Sequence, residues 1–246
     1  MYLSWIIPAH NEERRIEKTV REVSRYLQSK NFAYEIVVVD NASGDTTSEI
    51  ITRLSRELPG VRLLRSNGPG KGWAVKEGML NARGEIRLFS DADNATSPEH
   101  FDRVAPMFQK GHDVVISSRN PKDAPGATED RPEGALRQFA GKLGNVAIQL
   151  FAVWGIWDTQ NGFKAFRARA AENIFSRLTI FGFAFDIEVL VLTRRLHYKI
   201  GIIPVQWKHD PDSKVTLGSY ISVLLDVLRI RWNIIIGKYN GIKNKE

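Results

Sequence analysis

Cysteine is absent from the 246 residues. No disulfide framework or thiolate metal site is therefore available, and any metal must be held by oxygen or imidazole. A reducing interior suits such a chain. The N-terminal "MYLSWIIPAHNEE" has neither a basic n-region nor a small-residue cleavage site, so it reads as a first buried strand rather than a secretory leader. No internal repeat or low-complexity tract occurs, and one domain of this length can bury a full core. Long uninterrupted apolar runs are also missing. Residues 143–157, "LGNVAIQLFAVWGIW", are uncharged, but a membrane-spanning helix needs roughly 20 apolar residues. Residues 217–237 are longer, yet Asp226, Arg229 and Arg231 interrupt them; each such charge costs about 2.5–3.5 kcal/mol at the centre of a membrane helix. Neither stretch reads as a span.

Two phosphate-binding signatures are missing as well. The first strand runs into "PAHNEE" rather than a G-x-G-x-x-G turn, which removes the main signal of a dinucleotide-binding dehydrogenase. "NGPGKGWAVKEG" has the wrong glycine spacing for a P-loop, and Lys71 is followed by Gly72 instead of Ser or Thr. It still offers a lysine and pliable backbone at a helix start, which serves either an anion or a plain turn. The net charge of +7 favours acidic partners such as phosphates, nucleic acid or an anionic membrane. Nucleic acid ranks last among these, because the Arg and Lys residues are dispersed rather than gathered into a stripe with stacking aromatics.

What is present alternates between two periods. "YLSWIIP", "YEIVVVD", "VRLLR", "EIRLFSD" and "DVVISS" are of strand length, while Ile16, Val20, Val23 and Leu27, and then Ile50, Leu54 and Leu58, recur at helical spacing. The expectation is an α/β fold with a mostly parallel sheet flanked by helices. Ligands of such sheets bind beyond the carboxyl ends of the strands, where the acids of this chain lie. Further on come a polar 119–135 loop expected to act as a mobile lid, a helix at about 186–197, and the strand-like "KIGIIPVQW".

Asp91 and Asp93 end the fourth strand one residue apart. Two carboxylates so placed repel unless a cation accompanies them, and Mg²⁺ is usually held by one or two carboxylates together with substrate phosphates. The plainer reading, strand-end and capping acids, is weakened because Ser97 before Pro98 already supplies a helix start. Asp158 opens "DTQNGFKAF", either as a base or organiser of an acceptor site or as a turn carboxylate. Lys164 in the same stretch has the alternative of a surface strand lysine. Asp186 and Glu188 read as helix-start acids favoured by the dipole.

Taken in order, "VVVDNASGDTT", "GPGKGWAVKEGML", "FSDADNAT", "SSR", "DTQNGFKAF", "FAFDIEVL" and "DSKV" resemble the inverting family-2 glycosyltransferases of the GT-A, Rossmann-like fold, and within them the dolichyl-phosphate (polyprenyl-phosphate) β-glucosyltransferases. The resemblance implies that Pro8, Ala9, Asn11, Glu12, Asp40, Lys71, Asp91 and Ala92 bind the nucleotide sugar. It places Mg²⁺ or Mn²⁺ on Asp91 and Asp93, gives Asp93 and Asp158 catalytic roles, and puts Arg119, Arg137 and Lys214 on the acceptor phosphate. Asn41 stands where the family usually has a second acid. Ala95 stands where mannosyl relatives commonly carry Gln, which favours a UDP-glucose donor over GDP-mannose.

The implied partners are a UDP-sugar, a polyprenyl-phosphate lipid and a membrane surface, with no nucleic acid. The expected organisation is a catalytic domain over 1–216 and an amphipathic helix with a basic tail over 217–246. Residues 136–157 and 217–237 are expected to lie in the membrane interface, making a peripheral protein of the cytoplasmic face. Competing readings are mannosyl transfer, transfer to a non-lipid acceptor, and a catalytically silent sugar-nucleotide sensor.

Overall fold

The apolar runs of the first half pair as expected. In the computed structural model, which describes residues 1–129, 144–207 and 217–239, strands β1 (Leu3–Ala9), β2 (Tyr34–Asn41), β3 (Val61–Ser66), β4 (Ile86–Ser90) and β5 (Val114–Ser118) enter one sheet with β7 (Phe163–Arg167) and β8 (Ile200–Pro204). The strand order is β3-β2-β1-β4-β7-β5-β8. All neighbours run parallel except β7, which is antiparallel to both β4 and β5. The two short strands β6 (Thr128–Glu129) and β9 (Gln206–Trp207) pair separately.

Helices α1 (Ile16–Gln28), α2 (Thr47–Glu57), α3 (Gly70–Asn81), α4 (Val104–Gln109), α5 (144–151), α6 (Ala168–Phe175), α7 (Phe185–Arg195) and α8 (Leu217–Ile235) surround the sheet. Strand alternation sorts them to two faces. Leu3, Trp5 and Ile7 of β1 face a core with Ile16, Val20, Val23 and Leu27 of α1 and Ile51 and Leu54 of α2. Ile6, Val37 and Val39 face the other, with Val75 and Met79 of α3, Ile174 of α6 and Leu190 of α7. Every residue of β1 is buried, as covered parallel strands require.

Helix α8 shares that second core, for Val227, Ile230 and the following Tyr239 belong to it. Its carboxyl end is tied by the Tyr239 hydroxyl, which donates to Glu188 Oε1 at 2.6 Å. No helix among the described residues is long and apolar enough to cross a membrane.

The first half of the 119–135 loop does not behave as a free lid. Asp123 accepts the backbone N–H groups of Trp157 and Asp158, both at 2.8 Å, and β6 is paired with β9. A carboxylate that caps two backbone amides holds the segment down to residue 129 in place. The rest of that loop lies outside the described residues.

The position of α3 depends on Gly78. A methyl group there would meet Ile6 Cγ2 at 2.4 Å and Val39 Cγ2 at 2.9 Å, and both neighbours are stiff β-branched side chains in the core. Alanine gains roughly 0.8–1 kcal/mol of helix propensity over glycine, while overpacking costs about 1–3 kcal/mol. Gly78→Ala should therefore lower the unfolding free energy by about 1 kcal/mol in urea titration.

Candidate active site

The carboxyl ends of β1, β2 and β4 open on one side, and their loops are tied together. The N–H of Asn11 donates to Ser43 Oγ at 3.0 Å, Gly44 N–H donates to Asn11 Oδ1 at 2.8 Å, and Glu12 N–H donates to Thr47 Oγ1 at 2.8 Å. Glu12 also forms an ion pair with Arg15. Asp40 is buried at the end of β2 and accepts the N–H of Ser43 at 3.3 Å. Asn41 does not act as a carboxylate substitute: its amide nitrogen donates to the carbonyls of Gly68 and Gly70 and so braces the loop before α3.

Three residues on these loops, Asn11, Ala42 and Asn94, have φ of 54°, 54° and 51°. Asparagine tolerates the left-handed region, but alanine gains nothing there from its side chain. Backbone held in such a conformation marks a shape imposed by its surroundings.

The stretch after β4 is gripped residue by residue. Trp5 Nε1 donates to Ser90 Oγ at 2.8 Å, Asp91 N–H donates to the Gly162 carbonyl at 3.1 Å, and Thr19 Oγ1 donates to the Ala92 carbonyl at 2.6 Å. Asp93 Oδ1 accepts Ala95 N–H at 3.0 Å. Gly162 leaves room for the Asp91 carboxylate, since a Cβ at that position would lie 2.2 Å from Asp91 Oδ2. Lys71, from the first turn of α3, forms an ion pair with Asp91.

Electrostatics ties these groups into one site. Burial and the neighbouring Asp91 charge push the Asp93 carboxyl up, while Ala95 N–H, Lys71 and Arg15 oppose the rise. Burial alone would depress Lys71, but Asp91, Asp186 and Asp93 outweigh it and hold the ammonium above its ordinary value. Among the described residues no cluster of three or more His, Cys, Asp or Glu could chelate an ion unaided. The donor set instead fits a hard divalent ion shared with a diphosphate: two mutually repelling carboxylates, one already drawing a cation.

Arg119 leaves the end of β5 and is clamped. Its N–H and Nε donate to Asp158 Oδ2 at 2.7 and 2.8 Å, Nη2 donates to Oδ1 at 2.7 Å, and Glu129 lies 3.2 Å from Nη1. The guanidinium also sits 5.3 Å from the Trp207 ring centre. Burial tends to raise the Asp158 carboxyl, yet Arg119 more than reverses this and holds it below the usual range. A carboxylate so engaged is a weak proton acceptor and a good brace. Arg137 and Lys214 lie outside the described residues.

Three further charged residues are more deeply buried than the sequence suggests. Lys164 is a strand residue but not a surface one: it is 0% exposed and donates to Asp186 Oδ1 at 2.6 Å and to the Asn161 carbonyl at 2.7 Å. Asp186 and Glu188 do stand in the first turn of α7, but both are buried. Glu188 accepts the N–H groups of Thr179 and Ile180 at 2.8 and 2.7 Å. Helix-start chemistry hides these tertiary bonds, because the dipole alone accounts for acids in that turn.

Gly162→Ala should push the Asp91 carboxylate aside with the fold retained. Affinity for Mn²⁺ should fall by about 10–100-fold, as when a metal ligand loses its support, while circular dichroism stays unchanged. Calorimetric titration measures the first quantity.

Residues 4–175 match the sequence profile of Glycosyl transferase family 2. The chain is 35% identical to a dolichyl-phosphate beta-glucosyltransferase of Trichomonas vaginalis, covering 94% of this chain and 73% of that protein. It is 30% identical to the dolichyl-phosphate beta-glucosyltransferase of Saccharomyces cerevisiae, covering 99% and 78%. Among solved structures, the glucosyl-3-phosphoglycerate synthase of Mycobacterium tuberculosis, crystallised with Mn²⁺, UDP-glucose and phosphoglyceric acid, superposes with a TM-score of 0.70 at 18% identity, covering 99% and 81%. The mannosyl-3-phosphoglycerate synthase of Rubrobacter xylanophilus gives 0.65 at 17%, covering 100% and 77%. The fold is thus the GT-A fold, and the chain is a glycosyltransferase belonging to glycosyl transferase family 2.

Proposed function

We propose that the chain transfers glucose from UDP-glucose to a polyprenyl (dolichyl) phosphate, with inversion, as a peripheral protein at the cytoplasmic face of a membrane. The observation that carries this reading is the gripped Asp91–Ala92–Asp93 segment facing Lys71 at the carboxyl edge of the sheet. The names of the curated relatives support the donor sugar and the lipid acceptor. Complexes of the structural neighbours with Mn²⁺ or Mg²⁺ and UDP support a divalent ion. The absence of cysteine suits a reducing compartment.

In the mechanism, the loops after β1 and β2 take the nucleoside, with Pro8, Ala9, Asn11, Glu12 and Asp40 at their turn. Asp91 and Asp93 would hold Mg²⁺ or Mn²⁺, which when bound stabilises the charge that develops on the departing diphosphate. Lys71 supplies a second positive charge on the same side. The acceptor phosphate oxygen attacks the anomeric carbon as the bond to the diphosphate breaks, so the two oxygens exchange on opposite faces of that carbon. A phosphate monoester has a second pKa near 6 and is largely dianionic at neutral pH, so no strong base is needed. Asp158 accordingly positions Arg119, and Arg119 meets the acceptor phosphate. Arg137 and Lys214 are assigned to that phosphate by resemblance.

The membrane reading has its own support. On α8 the residues Ile221, Leu224, Leu225, Leu228, Trp232 and Ile235 are exposed large apolar side chains, and their spacing of three and four puts them on one stripe. Arg229 and Arg231 are exposed on the same helix. Leu150 and Trp154, in and just after α5, add exposed apolar surface at 62% and 72%. An apolar stripe bordered by arginine is the pattern of a helix lying in a lipid interface.

Labelled UDP-glucose, Mn²⁺ and a short polyprenyl phosphate should yield a lipid-soluble labelled product. Product from GDP-mannose instead, or only with a soluble sugar acceptor, would overturn the donor or the acceptor. Asp91→Asn and Asp93→Asn should each reduce turnover by at least about a hundredfold, the scale of losing a stabiliser of developing charge.

In flotation with vesicles containing anionic lipid, the protein should rise with the lipid. Leu225→Asp combined with Trp232→Asp should leave it at the bottom of the gradient while soluble UDP binding persists. Equal flotation of wild type and variant would remove α8 from the interface.

A further inference from the structure

The Lys71–Asp91 ion pair sets a chemical conflict. The same carboxylate is sought by a divalent ion and by the lysine ammonium, and two cations against one carboxylate repel each other. The repulsion is relieved when one partner moves, and the two differ in how freely they can. Asp91 is held at its backbone, where its N–H is bonded to the Gly162 carbonyl, and its short side chain lies against Gly162. The backbone under Lys71 is fixed too, because Gly72 N–H donates to the Phe181 carbonyl at 2.8 Å and a Cβ on Gly72 would meet Phe185 Cβ at 2.6 Å. The four-carbon stem of Lys71 has more rotatable bonds than the one-carbon stem of Asp91, and its side chain keeps partial exposure.

We propose that Lys71 is an exchangeable counter-ion: it neutralises Asp91 until a nucleoside diphosphate arrives, then turns its ammonium onto the diphosphate and releases the carboxylate to the divalent ion. This rests on the reading of the site as a metal-assisted nucleotide-sugar site and deepens it. Lysine suits the task, being a compact charge on a flexible stem. Its new partner would lie beside the first turn of α3, a positive helix end that favours phosphate. The consequence is coupling between the two ligands. Metal alone must displace the lysine without compensation, whereas metal with diphosphate does so while the lysine gains a new anion. By linkage, each ligand then tightens the other by the same factor.

The test measures binding, not turnover. Mn²⁺ binding is followed by electron paramagnetic resonance with and without UDP, and UDP binding by calorimetry in the presence of a chelator. Lys71→Met should bind Mn²⁺ alone about tenfold more tightly than wild type and UDP alone about tenfold more weakly, so that the factor by which UDP tightens Mn²⁺ shrinks. Lys71→Arg, which retains the charge, should stay within about threefold of wild type for Mn²⁺ alone. Lys76 lies one turn and a residue further along α3, with its ammonium at the Leu178 carbonyl rather than on an acid. Lys76→Met should therefore leave Mn²⁺ affinity within about twofold. Mn²⁺ affinity in Lys71→Met equal to or below that of wild type overturns the exchange, as does an equal gain in Lys76→Met, which would mean a general field effect. If the wild-type protein binds no Mn²⁺ with UDP, the nucleotide-sugar reading itself fails, a result distinct from the others.

Discussion

Two carboxylates one residue apart repel each other, and much of this molecule is arranged to hold them together at the end of β4. Trp5 reaches from β1, Thr19 from α1, Gly162 from the turn before β7, and Lys71 from α3. Each contact comes from a different part of the chain, so the position of Asp91 and Asp93 depends on the assembled sheet and not on local turn preference. This kind of support brings a site close to its working geometry before ligand arrives. The strained Ala42 on the neighbouring loop agrees with it, since a non-glycine left-handed residue persists only where its surroundings over-determine it.

The second half of the site has a different character. Arg119 is answered by Asp158 and Glu129 and covered by Trp207, and Asp123 captures the backbone of residues 157 and 158. Buried charges of this sort cost desolvation and persist when paired and hydrogen-bonded. An arginine held in a fork by a buried carboxylate keeps one orientation, which a flexible lysine would not.

Much of this was legible from the amino-acid order. The strands of the first half, the helical face of Ile16 to Leu27, the mostly parallel sheet and the sheet edge on which Asp40, Asp91 and Asp93 lie all follow from period and from where apolar runs end. The antiparallel insertion of β7 did not follow, because "FKAF" carries too short a pattern to show its direction and contains a lysine. That lysine is answered from 22 residues away by Asp186, a tertiary fact with no local signature. The roles of Thr19 and Gly162 were hidden for the same reason: a threonine in a helix and a glycine in a turn have ordinary explanations. The one signal that pointed toward Gly162 was its place inside "DTQNGFKAF", beside the acid already suspected.

The insertion of β7 has a bearing on how the chain finds its sheet. A strand joined antiparallel to neighbours on both sides can slip along either, and a shift of a single residue would turn every side chain to the opposite face. Here such a slip would carry the Lys164 ammonium away from its carboxylate and into the opposite core of Trp5, Ile7 and Phe101. The misaligned alternative is thereby penalised by an unpaired charge in an oily environment. One basic residue in the middle of the sheet thus acts as an alignment pin for the two halves of the molecule.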